Sequence, residues 1–269
     1  MLRGNDMKKM VVLAFCTLSF AQITWAQRIV LLTPDSADIV AALGAADKVV
    51  AVHDHNHNPL YQGKETIGFY RTLSVEPIMA QKPDVVIGSF MAMPPNIYSN
   101  LRQSGIVAKN VQENETIEDY QNSIIRIGEL IDKKEQAAVL AHQFKTALKA
   151  QPASGKRYLL SYDGRYVAGR GTVADSLIRL AGGINAADGV EGFKPLSREA
   201  WLAAKPDIVI IAKHNEEILS GAEKLAARPE LSGSPAAKNG KIVFWHSDEF
   251  LRYGLHTPES IQNLHQLAR

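Results

Sequence analysis

Three tyrosines stand in short loops where a phenol oxygen could meet a ligand. Tyr70 is followed directly by Arg71 in the loop at residues 68–72, and Tyr162 and Tyr166 enclose Asp-Gly-Arg after an apolar run. A phenolate is a hard oxygen donor suited to ferric iron. A neighbouring guanidinium favours the ionised phenol and can also pair with a carboxylate. The alternative is that these tyrosines pack their rings and hydrogen-bond their hydroxyls. A second group, His53, His55 and His57, alternates along one loop and could bind zinc in a metal-dependent enzyme. Ligands so close in sequence rarely complete a tetrahedral site alone, so a solvated polar loop is the competing reading.

Other chemistries find little support. Gly169-Arg170-Gly171 lacks the full glycine fingerprint and the lysine–serine ending of a phosphate loop. No local serine–histidine–acid arrangement stands out. The reading is therefore a binding protein and not an enzyme. The formal charge of +2 matches that of the N-terminal stretch, where Arg3, Lys8 and Lys9 outweigh Asp6. The remainder is close to neutral, which argues against a nucleic-acid partner. Residues 1–26, with Lys8 and Lys9 before an apolar run and Thr24-Trp25-Ala26 at the end, read as a secretory signal. Phe15 before Cys16 fits a lipoprotein cleavage site poorly, so a free periplasmic protein is expected. Cys16 is the one cysteine, and the mature chain needs no disulfide.

The elements that must hold these loops are announced by a repeat. Leu73-Ser-Val-Glu-Pro-Ile-Met-Ala-Gln-Lys-Pro-Asp-Val-Val-Ile87 returns as Leu196-Ser-Arg-Glu-Ala-Trp-Leu-Ala-Ala-Lys-Pro-Asp-Ile-Val-Ile210, each after a Gly-Phe pair. Each copy reads as a short helix, capped by Ser74 or Ser197 and carrying Glu76 or Glu199 in its first turn, then a buried strand. Lys-Pro-Asp separates the two because proline cannot continue the helix. One αβ unit used twice predicts an α/β protein of two similar lobes with mostly parallel sheets. We place the first lobe at residues 27–130, a bridging helix at 131–152 and the second lobe at 153–269. The stretch 133–150, free of glycine and proline, would carry the bridge. A ligand then belongs in the cleft between the lobes, at the carboxyl ends of the strands.

Seven stretches belong together: Gly68-Phe-Tyr-Arg-Thr-Leu-Ser74, Glu76, Lys82-Pro-Asp84, Pro94-Pro95, Ala168-Gly-Arg-Gly-Thr172, Ala181-Gly-Gly183 and Gly254-Leu-His-Thr-Pro258. With them the chain resembles the periplasmic haem-binding proteins of bacterial haem-uptake ABC transporters. The likeness runs through the mature chain, and its wider family also holds cobalamin and siderophore binders. It implies a monomeric carrier with haem as transported ligand, delivered to an inner-membrane permease dimer. Arg71 matches the arginine that meets a propionate, and Glu76 and Glu199 match the acidic pair that docks on the permease. The family's axial tyrosine position holds Phe69 here, and its second-lobe histidine position holds Tyr162.

Tyr70 and Tyr162 are therefore the expected iron ligands, with His55 or His57 a further option. Phe69, Arg71, Met93 and Tyr166 are expected beside the ligand, as are Phe193, Lys194 and Tyr253. Phe69 in place of tyrosine leaves a ferric siderophore or a corrinoid as the alternative cargo.

Overall fold

The computed structural model describes residues 27–269, so the expected leader and Cys16 lie outside it. The first lobe is a five-stranded sheet of β1 (Ile29–Leu31), β2 (Val49–Val52), β3 (Glu65–Thr66), β4 (Val85–Gly88) and β5 (Val107–Asn110). All pairs are parallel, in the order β3-β2-β1-β4-β5. Strand side chains alternate between faces. Ile29 and Leu31 join one apolar cluster with α1 (Pro34–Ala42), while Val30 and Leu32 join another with α2 (Val75–Ala80) and α3 (Ile97–Gln103). Burial on both faces is why β1 and β4 read as unbroken apolar runs.

Two helices then leave the lobe. In α4 (Ile117–Leu130) and α5 (Lys134–Ala147), Tyr120 near the start of one lies 5.2 Å from Phe144 near the end of the other, so the pair is antiparallel. Asp132, at φ 58°, makes the reversal. The expected bridge is thus shorter and paired: α5 stops at Ala147, Leu148 is extended at ψ 95°, and non-helical chain leads on to the second sheet. Fourteen residues span about 21 Å.

The second lobe contains β6 (Arg157–Ser161), β7 (Tyr166–Ala168), α6 (Val173–Leu180), β8 (Ile184–Asn185), β9 (Phe193–Pro195), α7 (Arg198–Ala204) and β10 (Ile208–Ala212). It closes with α8 (Gly221–Ala226), α9 (Pro235–Lys238), β11 (Ile242–Trp245), α10 (Asp248–Leu251) and α11 (Thr257–Leu267). Its sheet runs β11-β10-β6-β7-β9, with β8 also on β6. The β11-β10-β6 portion is parallel, whereas β7 is antiparallel to both β6 and β9. One apolar cluster, which includes Ile29, Tyr120, Phe144, Tyr158, Ile210 and Leu264, runs from the first sheet through the helix layer to the second.

The repeat folds the same way twice. The lysines of Lys-Pro-Asp both take left-handed backbone, at φ 49° for Lys82 and 41° for Lys205. Each aspartate then accepts the backbone N–H of the arginine that leads the neighbouring strand. Arg28 donates to Asp84 Oδ2 at 2.7 Å, and Arg157 to Asp207 Oδ2 at 2.8 Å. The Lys-Pro-Asp signature therefore stitches β4 to β1 and β10 to β6. The capping expectation holds for one copy: Ser197 Oγ accepts from Ala200 N at 3.2 Å, whereas Ser74 makes no side-chain cap bond.

Candidate functional site: the interlobe cleft

The loops at the carboxyl ends of the strands enclose a cavity of about 1080 Å³. Residues 34–91 of the first lobe supply one wall and residues 162–252 of the second supply the other, so neither lobe holds the site alone. This slightly exceeds the usual range of roughly 300–1,000 Å³ for small-molecule pockets, which suits a large ligand. A smaller cavity of about 460 Å³, lined by the second lobe alone, shares His246 with it.

On the first wall, Gly68 at φ 98° turns the chain ahead of Phe69 and Tyr70. A β-carbon would be strained there, which explains glycine before phenylalanine; Gly192 repeats the device before Phe193 at φ 73°. Backbone bonds hold the loop, with Asp54 N donating to Gly68 O at 2.9 Å, Met93 N to Tyr70 O at 2.7 Å and Leu73 N to Met93 O at 2.8 Å. Tyr70 packs on Phe69 at 4.7 Å and meets His53 edge-on at 5.9 Å. The Arg71 guanidinium lies 5.4 Å from the Tyr70 ring centre. Phe69 and Tyr70 line the cavity; Arg71 is exposed and does not.

The histidine loop divides. His53 is buried, with Nδ1 2.8 Å from Asp54 O and Nε2 3.0 Å from Asn56 Nδ2. Both ring nitrogens are thus engaged, and burial pushes its pKa below the usual value. His55 and His57 are exposed on the wall. Among the described residues, no three histidine, cysteine, aspartate or glutamate side chains are grouped to hold a metal ion. The zinc site considered for this loop therefore has no geometry here.

On the second wall, Tyr162 lines the cavity. The turn is fixed by Asp163 Oδ1, which accepts from Arg165 N and Tyr166 N at 2.9 and 2.7 Å. Tyr166 stacks on Phe193 at 6.0 Å, and Tyr162 meets the same ring edge-on at 6.4 Å. Tyr166, Phe193 and Lys194 are exposed beside the cavity and outside its lining. Met93 lies outside too, with Met91 on the wall instead.

Tyr253 belongs elsewhere. It is 5% exposed within the apolar cluster, and burial raises its pKa. The eight tyrosines thus split: Tyr61, Tyr98, Tyr120, Tyr158 and Tyr253 are buried, whereas Tyr70, Tyr162 and Tyr166 stand at the cleft.

Sequence reasoning missed His214 and His246 on the second wall, and Asp38, Asp248 and Arg252 on the floor. None belongs to a motif. Their strand-end positions were the one available signal, because His214 follows β10 and His246 follows β11.

Two sheet-based lobes around a shared cleft, with aromatic and imidazole side chains on both walls, define a ligand-binding protein. The profile of the periplasmic binding protein family matches residues 29–249, and the chain belongs to that family, the substrate-binding components of ABC transporters. It is 27% identical over 252 residues to the vitamin B12-binding protein of Vibrio cholerae, covering 90% of this chain and 88% of that one. Among solved structures, it resembles the periplasmic heme-binding protein RhuT from Roseiflexus sp. RS-1 at TM-score 0.81 and 28% identity, covering 90% of this chain and 99% of that one. The heme-binding protein HutB of Vibrio cholerae superposes at TM-score 0.79 with 30% identity, covering 90% and 98%.

Proposed function

We propose that the protein captures haem in the interlobe cleft and hands it to an inner-membrane ABC permease. The observation that carries this reading is the pairing of phenols across the cavity, Tyr70 on one wall and Tyr162 on the other. Ferric iron at the centre of a flat macrocycle takes axial phenolate or imidazole ligands, and both walls offer them. The ring faces of Phe69, Tyr70 and Tyr162 suit a planar apolar body. Arg71, above Tyr70 at the rim, is the group for a propionate carboxylate. Tyr166, Phe193 and Lys194 extend this contact surface on the second lobe.

The docking reading rests on the repeat. Glu76 and Glu199 are exposed in the first turns of α2 and α7, one per lobe. Two carboxylates so placed suit a permease dimer that offers one basic contact to each lobe.

A corrinoid is the second reading, favoured by the curated relatives named for vitamin B12. Absorption titration of the purified protein with hemin, and separately with cyanocobalamin, tests both. Saturable one-to-one hemin binding with a shifted Soret band supports the haem reading. Saturable cobalamin binding with no saturable hemin binding would overturn it.

A further inference from the structure

Arg252, just after α10 in the second lobe, reaches across the cleft floor. Its Nη2 donates to Asp38 Oδ2 of α1 at 3.0 Å and to Asp248 Oδ2, one turn earlier in its own lobe, at 3.3 Å. The Arg252 side chain is 11% exposed, against 32% for that of Asp38 and 63% for that of Asp248. All three residues line the cavity. Among the described residues, the other ion pairs join partners within one lobe, Asp119 with Arg126 and Asp175 with Arg179. The Asp38–Arg252 pair is the one that spans the lobes. Nε and Nη1 are buried without a hydrogen-bond partner, so Nη2 alone anchors the head group. Burial disfavours the charged form, but the two carboxylates outweigh it and keep the arginine ionised.

Apolar packing also joins the lobes. Behind the cleft, α4, α5 and α11 share the continuous apolar cluster, with Tyr120 packed on Phe144. Apolar packing is non-directional and tolerates small rotations, whereas a charged hydrogen bond fixes distance and direction. The first can serve as fulcrum, and the second joins the two lobes within the cavity itself. We propose that the Asp38–Arg252 pair is an interlobe tie that sets the cleft width in the ligand-free protein. It thereby fixes the spacing of the walls that carry Tyr70 and Tyr162. This inference holds for any cargo, because it concerns the empty cleft.

Asp248 provides the internal control, since it holds the same nitrogen from within one lobe. Spin labels would be placed at Leu60→Cys and Ile218→Cys, which are 58% and 79% exposed on opposite lobes, in a chain carrying Cys16→Ser. Pulsed electron–electron resonance without ligand then reads the interlobe distance. Asp38→Asn should broaden the distribution, while Asp248→Asn and the charge-keeping Asp38→Glu should stay as narrow as the parent. The Asp38→Glu variant should also move the mean, because a glutamate arm is one methylene longer. Circular dichroism melts establish folding. If Asp38→Asn does not fold, Asp38→Glu is read alone, and a mean and width identical to the parent overturn the tie. An unchanged distribution in folded Asp38→Asn also overturns it, as does equal broadening in Asp248→Asn.

Discussion

The rings of Tyr162 and His214 face each other at 4.8 Å between centroids, inclined at 57°. Asn215 ties the pair together, donating from Nδ2 to Tyr162 O at 2.7 Å and lying 3.0 Å from His214 Nε2. A hydrogen bond donated by Asn215 occupies His214 Nε2, which favours the Tyr162 phenol over this imidazole as the proposed iron ligand on the second wall. We expect Tyr70→Phe and Tyr162→Phe each to weaken hemin binding about tenfold, or ~1.4 kcal/mol. The Soret band should move when the coordinating hydroxyl is lost. An unchanged spectrum in both variants and in the double substitution would shift the assignment to an imidazole on the walls, such as His55 or His57.

The acidic pair makes a separable prediction. Glu199 is fully exposed, and its own backbone N–H and the Ser197 hydroxyl hold its carboxyl below the usual range, so it is ionised at neutral pH. Glu76 occupies the matching first turn. Glu76→Ala with Glu199→Ala should abolish delivery through the permease while hemin affinity in solution stays at the parental value. Normal uptake by cells carrying the double variant would remove these residues from docking.

The elements that read best from sequence were those whose residues carry their own instructions. The repeat placed β4 and β10 because Lys-Pro-Asp ends a helix ahead of an apolar run, and its aspartate bonds the arginine leading the neighbouring strand. The stretch 133–150, free of glycine and proline, holds α5 as far as Ala147. The β7–β9 arm was illegible. Phe193, Lys194 and Pro195 are all exposed and show neither alternation nor an apolar run. The cleft floor was hidden for another reason: Arg252 and Asp38 lie 214 positions apart, and no local pattern announces such a pair. Tyr253 was misplaced because burial, not residue type, decides whether a tyrosine can meet a ligand.

Burial also sets a pH dependence. His53 and His256 have pKa values pushed below 6.5, each by burial first, with Arg252 contributing. The folded protein therefore resists protonation that the unfolded chain accepts. Between the lowered folded values and about 6.5 the unfolded state binds more protons, so stability rises with pH through this window and falls as the solution is acidified. His53→Gln removes one of the two contributions. Its melting temperature should depend less steeply on pH between about 5 and 6.5 than the parent's, once carboxylate effects at lower pH are left aside. Parallel slopes would show that His53 titrates alike in both states.

The helix layer behind the cleft makes the last prediction. Gly128 in α4 is buried against α5, and a β-carbon added there would collide with the Ala137 β-carbon and sit 3.0 Å from Lys133 O. The backbone of Lys133 is also committed, donating to Gly128 O at 2.8 Å, so the turn cannot easily give way. Gly128→Ala should therefore destabilise the protein by about 1–3 kcal/mol despite alanine's better helix propensity. At this chain length that corresponds to a melting temperature lower by roughly 2–4 °C per kcal/mol. Adding Ala137→Gly removes the colliding methyl and should recover part of the loss, less about 1 kcal/mol for glycine within α5. Because α4 and α5 carry the apolar connection between the lobes, the single variant should also speed hydrogen exchange at Tyr120 and Phe144. A melt unchanged by Gly128→Ala would mean that the two helices have room to separate, and the fulcrum assigned to them would have to lie elsewhere.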